Sequence, residues 1–245
     1  MAIEKFNLVL DHTRLLSPKI LHLAFKKQDG QPFDFIPGQF ITFLIESNGQ
    51  IKRRSYSIAS IYGQSKYLEI AISYIQDGIA SEKLFTLKPG ENLLAMGPAG
   101  KLIIQDDHAK RYILVGTGTG IAPYRAMLPD LAKRMENSDF KVVILFGAQY
   151  RQDLLYLEDF LNFAKTHPKF SIRTQLSRED LNSSKQPYEY PGYVQTAFPD
   201  LNLNPSEDII FLCGNPNMID SAFMELQMMG FESTAVKREK YISSN

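Results

Sequence analysis

The spacing of apolar and polar positions divides the chain into two halves of different character. In the first half, short apolar segments are separated by turn signals such as SNGQ, YGQSK and KPGE. The segments are ILHLAF, FITFLIE, SYSIAS, YLEIAISYI and ENLLAM. Segments of this length predict antiparallel strands in a small barrel or sandwich. One short helix is expected from Ala80 to Leu87.

After about residue 106 the apolar runs become compact and alternate with helical segments. The runs are YILV (112–115), VVILF (142–146), FSIRTQL (170–176) and DIIFLC (208–213). The helical segments are IAPYRAMLPDLAKRM, the stretch near 153–165 and the stretch near 217–229. This alternation predicts a parallel sheet covered on both faces. Residues 179–191 are expected to form a long surface loop.

The fold class that follows is a two-domain chain. We expect an antiparallel β-barrel domain over residues 1–105 and an α/β parallel-sheet domain over residues 106–245. The length of 245 residues suits two ordinary domains, and an apolar share of 44% argues against disorder over most of the chain.

Composition excludes several classes of function. Lys plus Arg equals Asp plus Glu at 27 each, and this balance argues against a nucleic-acid binder. The amino-terminal segment MAIEKFNLVLDHTR carries charges inside its apolar stretch and does not have the pattern of a signal peptide. The longest apolar runs are too short to span a bilayer, so a cytoplasmic location is expected.

Cysteine and histidine usage indicates no metal site. The single cysteine, Cys213, excludes an internal disulfide and any all-cysteine metal or iron–sulfur site within this chain. The four histidines are scattered without metal-ligand spacing.

Ligands of open parallel sheets bind at the carboxyl ends of the strands. Three of the four predicted strand ends carry glycine, and the other carries Ser177-Arg178. The glycine-bearing ends are GTGTG (116–120), GAQ (147–149) and CGNP (213–216). A glycine-rich turn that opens a helix can cradle a pyrophosphate, although a tight structural turn has the same pattern. The turn also departs from G-x-G-x-x-G, because Pro123 holds the sixth place of GTGIAP.

The first half has its own candidates for phosphate and ring binding. Arg54 can bond a phosphate, or it can be a solvated charge on an edge strand. Tyr56 can stack on a flat ring. Gly78 and Ser81 stand at the start of the expected short helix, where Ser81 can also be an ordinary cap.

Six motifs in order resemble the ferredoxin–NADP reductase family, and most closely its bacterial ferredoxin/flavodoxin–NADP reductases. The resemblance covers nearly the whole chain. The motifs are FIPGQF (35–40), RSYS (54–57), DGIAS (77–81), GPAGKL (97–102), GTGTGIAPYRAML (116–128) and CGNPNMI (213–219). Each motif alone is weak or moderate, whereas their order is a strong signal.

The resemblance implies FAD as the cofactor of the first domain. Arg54 would bind the FAD pyrophosphate, within a cofactor motif that also contains Ser55. Tyr56 would lie against the isoalloxazine and Ser57 near its N5 atom. The flavin phosphates would be held by the turn Gly78, Ile79, Ala80 and Ser81. Arg53 would point the other way.

The second domain would bind NADPH, with NADH possible. The nucleotide-binding residues implied are Thr117, Gly118, Thr119, Gly120, Gly214, Asn215 and Pro216. Cys213 would lie beside the nicotinamide, or be a small apolar core residue. Tyr241 would be the terminal aromatic over the flavin, or only pack, because a four-residue tail follows it.

The choice between the two nucleotides depends on the 2′-phosphate. Ser177 and Arg178 resemble the family's clamp on that group, although NADH-using relatives can show the same pair. Gln149 stands where NADP-specific members usually carry Arg, and Arg151 can substitute for it from two residues further on. These residues favour NADPH.

The implied reaction is hydride transfer between nicotinamide C4 and flavin N5, followed by one-electron transfer to ferredoxin or flavodoxin. Tyr56, Ser57, Cys213 and Tyr241 are the candidate catalytic residues. Lys52, Arg53, Lys237, Arg238 and Lys240 form a docking rim for an acidic carrier, or a solvated surface. The alternatives are an NAD(P)H:flavin or ferric reductase and an NADH-linked electron-transfer component of an oxygenase or other complex. The family suggests a monomer.

Overall fold

The computed structural model describes residues 4–241, so the four-residue tail beyond Tyr241 lies outside the described chain. Internal contacts divide the protein into two compact units. The first unit takes in the chain as far as Ile104 together with Ala122–Pro129. The second unit holds Gln105–Ile121 and the described chain from Asp130 onward. No helix within residues 4–241 is long and apolar enough to cross a membrane.

The first unit is an antiparallel barrel. Its elements are β1 (Lys5–Ser17), β2 (Ile20–Lys27), β3 (Phe40–Ser47), β4 (Gln50–Ser57), β5 (Leu68–Ser73), α1 (Ile79–Thr86) and β6 (Asn92–Ala99). The strand order is β4-β3-β6-β1-β2-β5, and every pair is antiparallel. Ile58, just after β4, bridges to Ile70 of β5 and brings the two edges of the sheet together.

Alternation along β3 shows how the barrel core is built. Ile41, Phe43 and Ile45 are buried in the barrel core, whereas Phe40 and Thr42 are only half-buried and Leu44 is buried outside this core cluster. Successive side chains of a strand point to opposite faces, so an apolar residue at every second position gives one inward face. The rings of Phe43 and Phe25 pack there with their centroids 5.5 Å apart.

The second unit contains a six-stranded parallel sheet. Its strands are β7 (Arg111–Thr117), β8 (Lys141–Ala148), β9 (Phe170–Leu176), β10 (Glu189–Pro191), β11 (Asp208–Gly214) and β12 (Val236–Lys240). Their order is β10-β9-β8-β7-β11-β12, with parallel pairing throughout. Together with the barrel, this sheet confirms the predicted fold class. From β7 the chain adds β8, β9 and β10 on one side of that strand, and then adds β11 and β12 on the other side. The boundary between β7 and β11 is therefore the topological switch point.

In the second half of the chain, as far as Tyr241, four α-helices follow: α2 (Ala122–Ala126), α3 (Leu128–Met135), α4 (Leu157–Thr166) and α5 (Pro216–Met228). The single helix predicted over IAPYRAMLPDLAKRM is therefore two helices, α2 and α3. Pro129 has no N–H to donate to the carbonyl of Arg125, so the hydrogen-bond ladder between the two segments is interrupted. The helix predicted from Asp153 begins later because Arg151–Asp153 forms a separate short turn.

Strands β1, β10 and β12 were not predicted from the apolar pattern. Register shifts interrupt β1 where it pairs with β2, which breaks the alternation of its sequence. The sequences of β10 (EYP) and β12 (VKREK) are short or charged. The predicted surface loop 179–191 therefore ends in a strand, whose Glu189 is buried.

Candidate functional site

Strand β4 places Arg54 and Tyr56 on one face and Arg53 on the other. In the register of β4 with β3, Arg54 lies opposite Phe43 and Tyr56 opposite Ile41, which are core residues. Arg54 is half-buried, and its Nη1 donates to the carbonyl of Arg53 at 2.9 Å. Arg53 itself is exposed. The strand thus holds a guanidinium and an aromatic ring side by side on one surface.

Tyr56 presents an aromatic ring that stays neutral. Its ring packs against Phe43 with centroids 5.9 Å apart. Burial raises the pKa of Tyr56 to about 12, against a smaller opposing effect of the Arg54 charge. Ser57 follows as a buried residue, whereas the hydroxyl of Ser55 on the opposite face hydrogen-bonds Thr42 at 2.8 Å. The face with Tyr56 is suited to a flat, uncharged ring system.

The turn into α1 offers backbone N–H groups instead of a side chain. Gly78 is the N-cap of α1 and makes no side-chain cap, so the first N–H groups of the helix have no partner within it. Ser81 is not the cap. Its buried hydroxyl donates to the carbonyls of Ile75 (2.7 Å) and Gly78 (2.9 Å) and accepts from the Ile75 N–H. Ser81 thereby fixes the turn that exposes those N–H groups.

The carboxyl ends of β7 and β11 meet in backbone-to-backbone contact. A Cβ atom on Gly120 would lie 2.3 Å from the Cys213 carbonyl oxygen, and one on Gly214 would lie 2.5 Å from that of Thr117. The Asn215 N–H donates to Thr117 Oγ1 at 3.1 Å. Thr117, Gly120, Cys213, Gly214 and Asn215 therefore converge at the switch point, where α/β sheets bind their ligands.

The remaining residues of GTGTG (116–120) and CGNP (213–216) support this convergence. Gly118 has a φ of 54°, in the left-handed region that favours glycine, and the 3₁₀ turn Gly118–Ile121 that includes Thr119 leads into α2. Asn215 caps α5, because its side chain accepts from the N–H groups of Asn217 and Met218. Pro216 is the first residue of that helix.

Cys213 is fully buried at the end of β11. Burial, followed by the nearby charge of Glu239, raises the pKa of the Cys213 thiol, while a hydrogen bond with the Tyr241 side chain acts in the opposite direction. The thiol is therefore a neutral group at physiological pH and has little nucleophilic character. The Tyr241 N–H donates to the Gly214 carbonyl at 2.9 Å, which brings the terminal aromatic residue to the same strand end.

Ser177 and Arg178 lie at the end of β9, which is two strands away from β7 in the sheet. The N–H groups of Ser177 and Arg178 donate to the carbonyls of Ala148 and Gln149, both at 3.0 Å. Arg178 is exposed. Arg151, expected as a substitute for the missing arginine at Gln149, forms ion pairs with Glu179 and Glu189.

Three residues near these strand ends were not singled out from the sequence. Glu239 lies opposite Cys213 in the parallel register of β12 with β11. Tyr150 follows β8 and Tyr193 follows β10, and both are exposed, Tyr193 to 72%. The tyrosines stand after strand ends and were detectable by that rule, whereas Glu239 required recognition of the charged strand β12.

Comparison with known proteins identifies the family to which this chain belongs. The profile of the oxidoreductase FAD-binding domain matches residues 7–104, and that of the oxidoreductase NAD-binding domain matches residues 114–223. The chain is 31% identical over 223 residues to ferredoxin–NADP reductase B of Sorangium cellulosum, covering 88% of each chain. The chain belongs to the ferredoxin–NADP reductase family. The resemblance of its motifs is thereby confirmed.

Proteins similar to this chain differ in role. The toluate 1,2-dioxygenase electron transfer component of Pseudomonas putida is 25% identical over 240 residues, which cover 98% of this chain and 68% of that protein. The cytochrome P450 reductase of Amycolatopsis has the same fold, with a TM-score of 0.86 at 23% identity over 99% of this chain and 71% of that one. The protein is an oxidoreductase with FAD-binding and NAD-binding domains.

Proposed function

We propose that this protein transfers electrons between NADPH and a one-electron carrier, ferredoxin or flavodoxin. The reaction is hydride transfer between nicotinamide C4 and the N5 atom of FAD. The observation that carries the proposal is the convergence of Thr117, Gly120, Cys213 and Gly214 at the β7/β11 switch point. The proposed domains are residues 1–105 for FAD and 106–245 for the nucleotide, in a monomer.

The residues of β4 and α1 fit FAD. Arg54 would pair with the pyrophosphate, and the neutral ring of Tyr56 would lie against the isoalloxazine. Ser57 would face N5, with Ser55 supporting the strand through Thr42. The N–H groups at the start of α1, from Ile79 to Ser81 after Gly78, have no partner within the helix and suit the second anionic contact. The flavin supplies the chemistry of accepting a hydride and releasing single electrons.

The residues of the switch point fit the nicotinamide nucleotide. The turn from Thr117 to Gly120 carries no bulky side chain, so its backbone can approach a pyrophosphate closely. Gly214, Asn215 and Pro216 would form the opposite wall at the start of α5. Cys213 would contact the nicotinamide as a neutral thiol.

Tyr241 would cover the flavin ring and exclude water from it. Its backbone is tied to Gly214, so its position follows the end of β11. Because hydride transfer requires two rings in contact, an aromatic side chain at this place must move before the nicotinamide can occupy it.

The carrier is proposed from the absence of a second redox motif in the sequence. Exposed Arg53 and the basic strand β12 would favour an acidic partner. On β12, however, Arg238 lies 3.6 Å above the Phe223 ring and Lys240 pairs with Asp220 at 2.5 Å. Arg53 is therefore the stronger candidate for a contact with the carrier.

The second candidate function is that of an NADH-linked reductase component of an oxygenase. The match to the toluate dioxygenase component over 98% of this chain favours it. The ion pairs of Arg151 favour it as well, because they reduce the positive charge available to a 2′-phosphate. A reductase that acts on free flavin is the further alternative.

The test is electron delivery by the purified protein. The protein is reduced with NADPH without oxygen and mixed with oxidised ferredoxin, flavodoxin or free flavin, and carrier reduction is followed by absorbance. We expect rapid reduction of ferredoxin or flavodoxin. Reduction of free flavin alone would contradict the proposal and favour the flavin-reductase alternative.

A further inference from the structure

Two arginines stand at the adjacent carboxyl ends of β8 and β9. Beyond these strands the chain segments continue side by side, because the Arg178 N–H donates to the Gln149 carbonyl at 3.0 Å. One step further, the Arg151 N–H donates to Oε2 of Glu179 at 2.8 Å. Arg151 and Arg178 thus lie at the same end of the sheet, beyond the carboxyl ends of β8 and β9, but their surroundings differ.

Arg151 is held by two carboxylates. Its Nε and Nη2 donate to the two oxygens of Glu189 at 2.7 and 2.8 Å, in the bidentate geometry of a strong arginine–carboxylate pair. Its Nη1 donates to Oε1 of Glu179 at 3.3 Å, and its Nη2 also donates to the Ser184 carbonyl. The Glu189 side chain is 2% exposed, whereas that of Arg151 is 31% exposed, so only the carboxylate of this pair is shielded from solvent. These contacts direct the guanidinium toward the 179–189 loop.

Arg178 is the opposite case. Its side chain is exposed, and within the described part of the chain its guanidinium makes no hydrogen bond or ion pair. The charges of Arg151, Arg178, Glu179 and Glu189 sum to zero. A 2′-phosphate, which carries up to two negative charges, would therefore meet no net positive charge from these four side chains.

We propose that Glu179 and Glu189 withhold Arg151 from the 2′-phosphate, so that the protein discriminates only weakly between NADPH and NADH. This inference rests on the proposed nucleotide-binding function. Glu179 sets the discrimination, because it holds Arg151 through the longer and less buried ion pair, with a side chain that is 21% exposed. Removal of its charge would leave Arg151 with one carboxylate and would remove a repulsion from the phosphate.

The test measures nucleotide fragments and does not depend on turnover. The dissociation constants of 2′,5′-ADP and 5′-AMP are determined by calorimetry on the flavin-loaded protein and on its Glu179→Gln variant. The glutamine keeps an oxygen that can accept from the Arg151 N–H. We expect affinity for 2′,5′-ADP to rise by about three- to tenfold at low salt, while affinity for 5′-AMP is unchanged. The matched control is Glu136→Gln, an exposed residue between α3 and the amino end of β8, with no expected effect on either ligand.

A second background tests whether the gain passes through Arg151. Arg151→Gln is combined with Glu189→Gln, so that no buried carboxylate is left without its partner. In that background, Glu179→Gln should raise affinity for 2′,5′-ADP much less, because only the direct repulsion between Glu179 and the phosphate remains to be removed. An undiminished gain, or equal changes for both ligands, would overturn the inference. If wild-type protein binds neither ligand, the proposed function fails instead.

Discussion

Both halves of the chain contain a glycine-bearing turn that leads into a helix, but the two turns need glycine for different reasons. At Gly78 the close neighbours are local, because an added Cβ would lie 2.7 Å from Ser81 Oγ and 2.9 Å from the Ile75 carbonyl. At Gly120 the neighbour is the carbonyl of Cys213, on a strand far away in sequence.

The two turns therefore differ in how well they tolerate an added methyl group. At Gly78 the Ser81 hydroxyl can rotate away from it, whereas at Gly120 the Cys213 carbonyl is fixed by the hydrogen bonds of a central strand. The β7/β11 contact therefore tolerates an added methyl group less well than the turn at Gly78. Substitution of Gly120 should reduce stability more than substitution of Gly78.

The largest effect is expected for Gly120→Ala. Its Cβ cannot be accommodated at 2.3 Å from the Cys213 oxygen, so the unfolding free energy should fall by more than about 3 kcal/mol. Gly118→Ala is the control, because its Cβ meets nothing within 4 Å and only its φ of 54° is unfavourable, which costs about 1 kcal/mol. Urea titration measures both. Equal, small losses would mean that the strand ends are not in tight contact.

The next largest effect is on FAD affinity and not on the stability of the fold. Arg54→Ala should lower FAD affinity by roughly ten- to a hundredfold, which corresponds to one charge-assisted hydrogen bond of about 1.5–3 kcal/mol. Arg53→Ala removes the same charge from the opposite, exposed face and should leave FAD affinity unchanged. Fluorescence titration of the apoprotein with FAD gives both constants, and similar losses in the two variants would refute the role of Arg54.

Gly78→Ala should have a moderate effect, of about 1–3 kcal/mol on the unfolding free energy. Ser81→Ala should cost about as much, because it removes hydrogen bonds to Ile75 and Gly78. The two losses should be less than additive, because the double variant lacks the Ser81 hydroxyl that clashes with the new methyl group, although the contact with the Ile75 carbonyl remains. Additive losses in urea titrations would show that Ser81 is not the neighbour that restricts Gly78.

A further effect, confined to acid pH, is a pH dependence of the barrel. Burial lowers the pKa of His22 to about 4, with Glu69 acting in the opposite direction and Arg14, Arg125 and His12 in the same direction. Between pH 6.5 and pH 4 the unfolded chain binds the proton first, so the unfolding free energy should fall as the pH falls through this range.

His22→Gln should flatten that dependence. His108→Gln, at an exposed position of the second unit, should leave it unchanged. Unfolding free energies measured across this pH range decide the matter, and an unaltered slope in the His22 variant would assign the effect to other groups.

The sequence predicted those parts of the fold in which the apolar pattern is continuous. Four of the six parallel strands and four of the six barrel strands coincide with apolar runs, whereas β4 overlaps the predicted SYSIAS segment only in its last three residues. Strand β12 was missed because its packing partner, and not its own composition, places VKREK in the sheet. The interruption of α2 and α3 was foreseeable from Pro129, which cannot supply a helical N–H.

The candidate site was predictable in position but not in its charges. GTGTG and CGNP end neighbouring strands, as the strand-end rule requires. The neutralisation of Arg151 was not foreseeable, since Glu179 and Glu189 lie 28 and 38 residues away and reach it only through the folded β9–β10 segment. Local motifs specify backbone shape, whereas the charge available to a ligand depends on distant partners.

The proposed role requires that this chain bind FAD and reduce it with a nicotinamide nucleotide. The FAD content and visible spectrum of the purified protein, followed during anaerobic addition of NADPH and, separately, NADH, test this requirement. We expect equimolar bound FAD, bleached by NADPH and, owing to the weak discrimination, by NADH only modestly more slowly. A colourless protein that turns over only when free flavin is added would refute the proposed role.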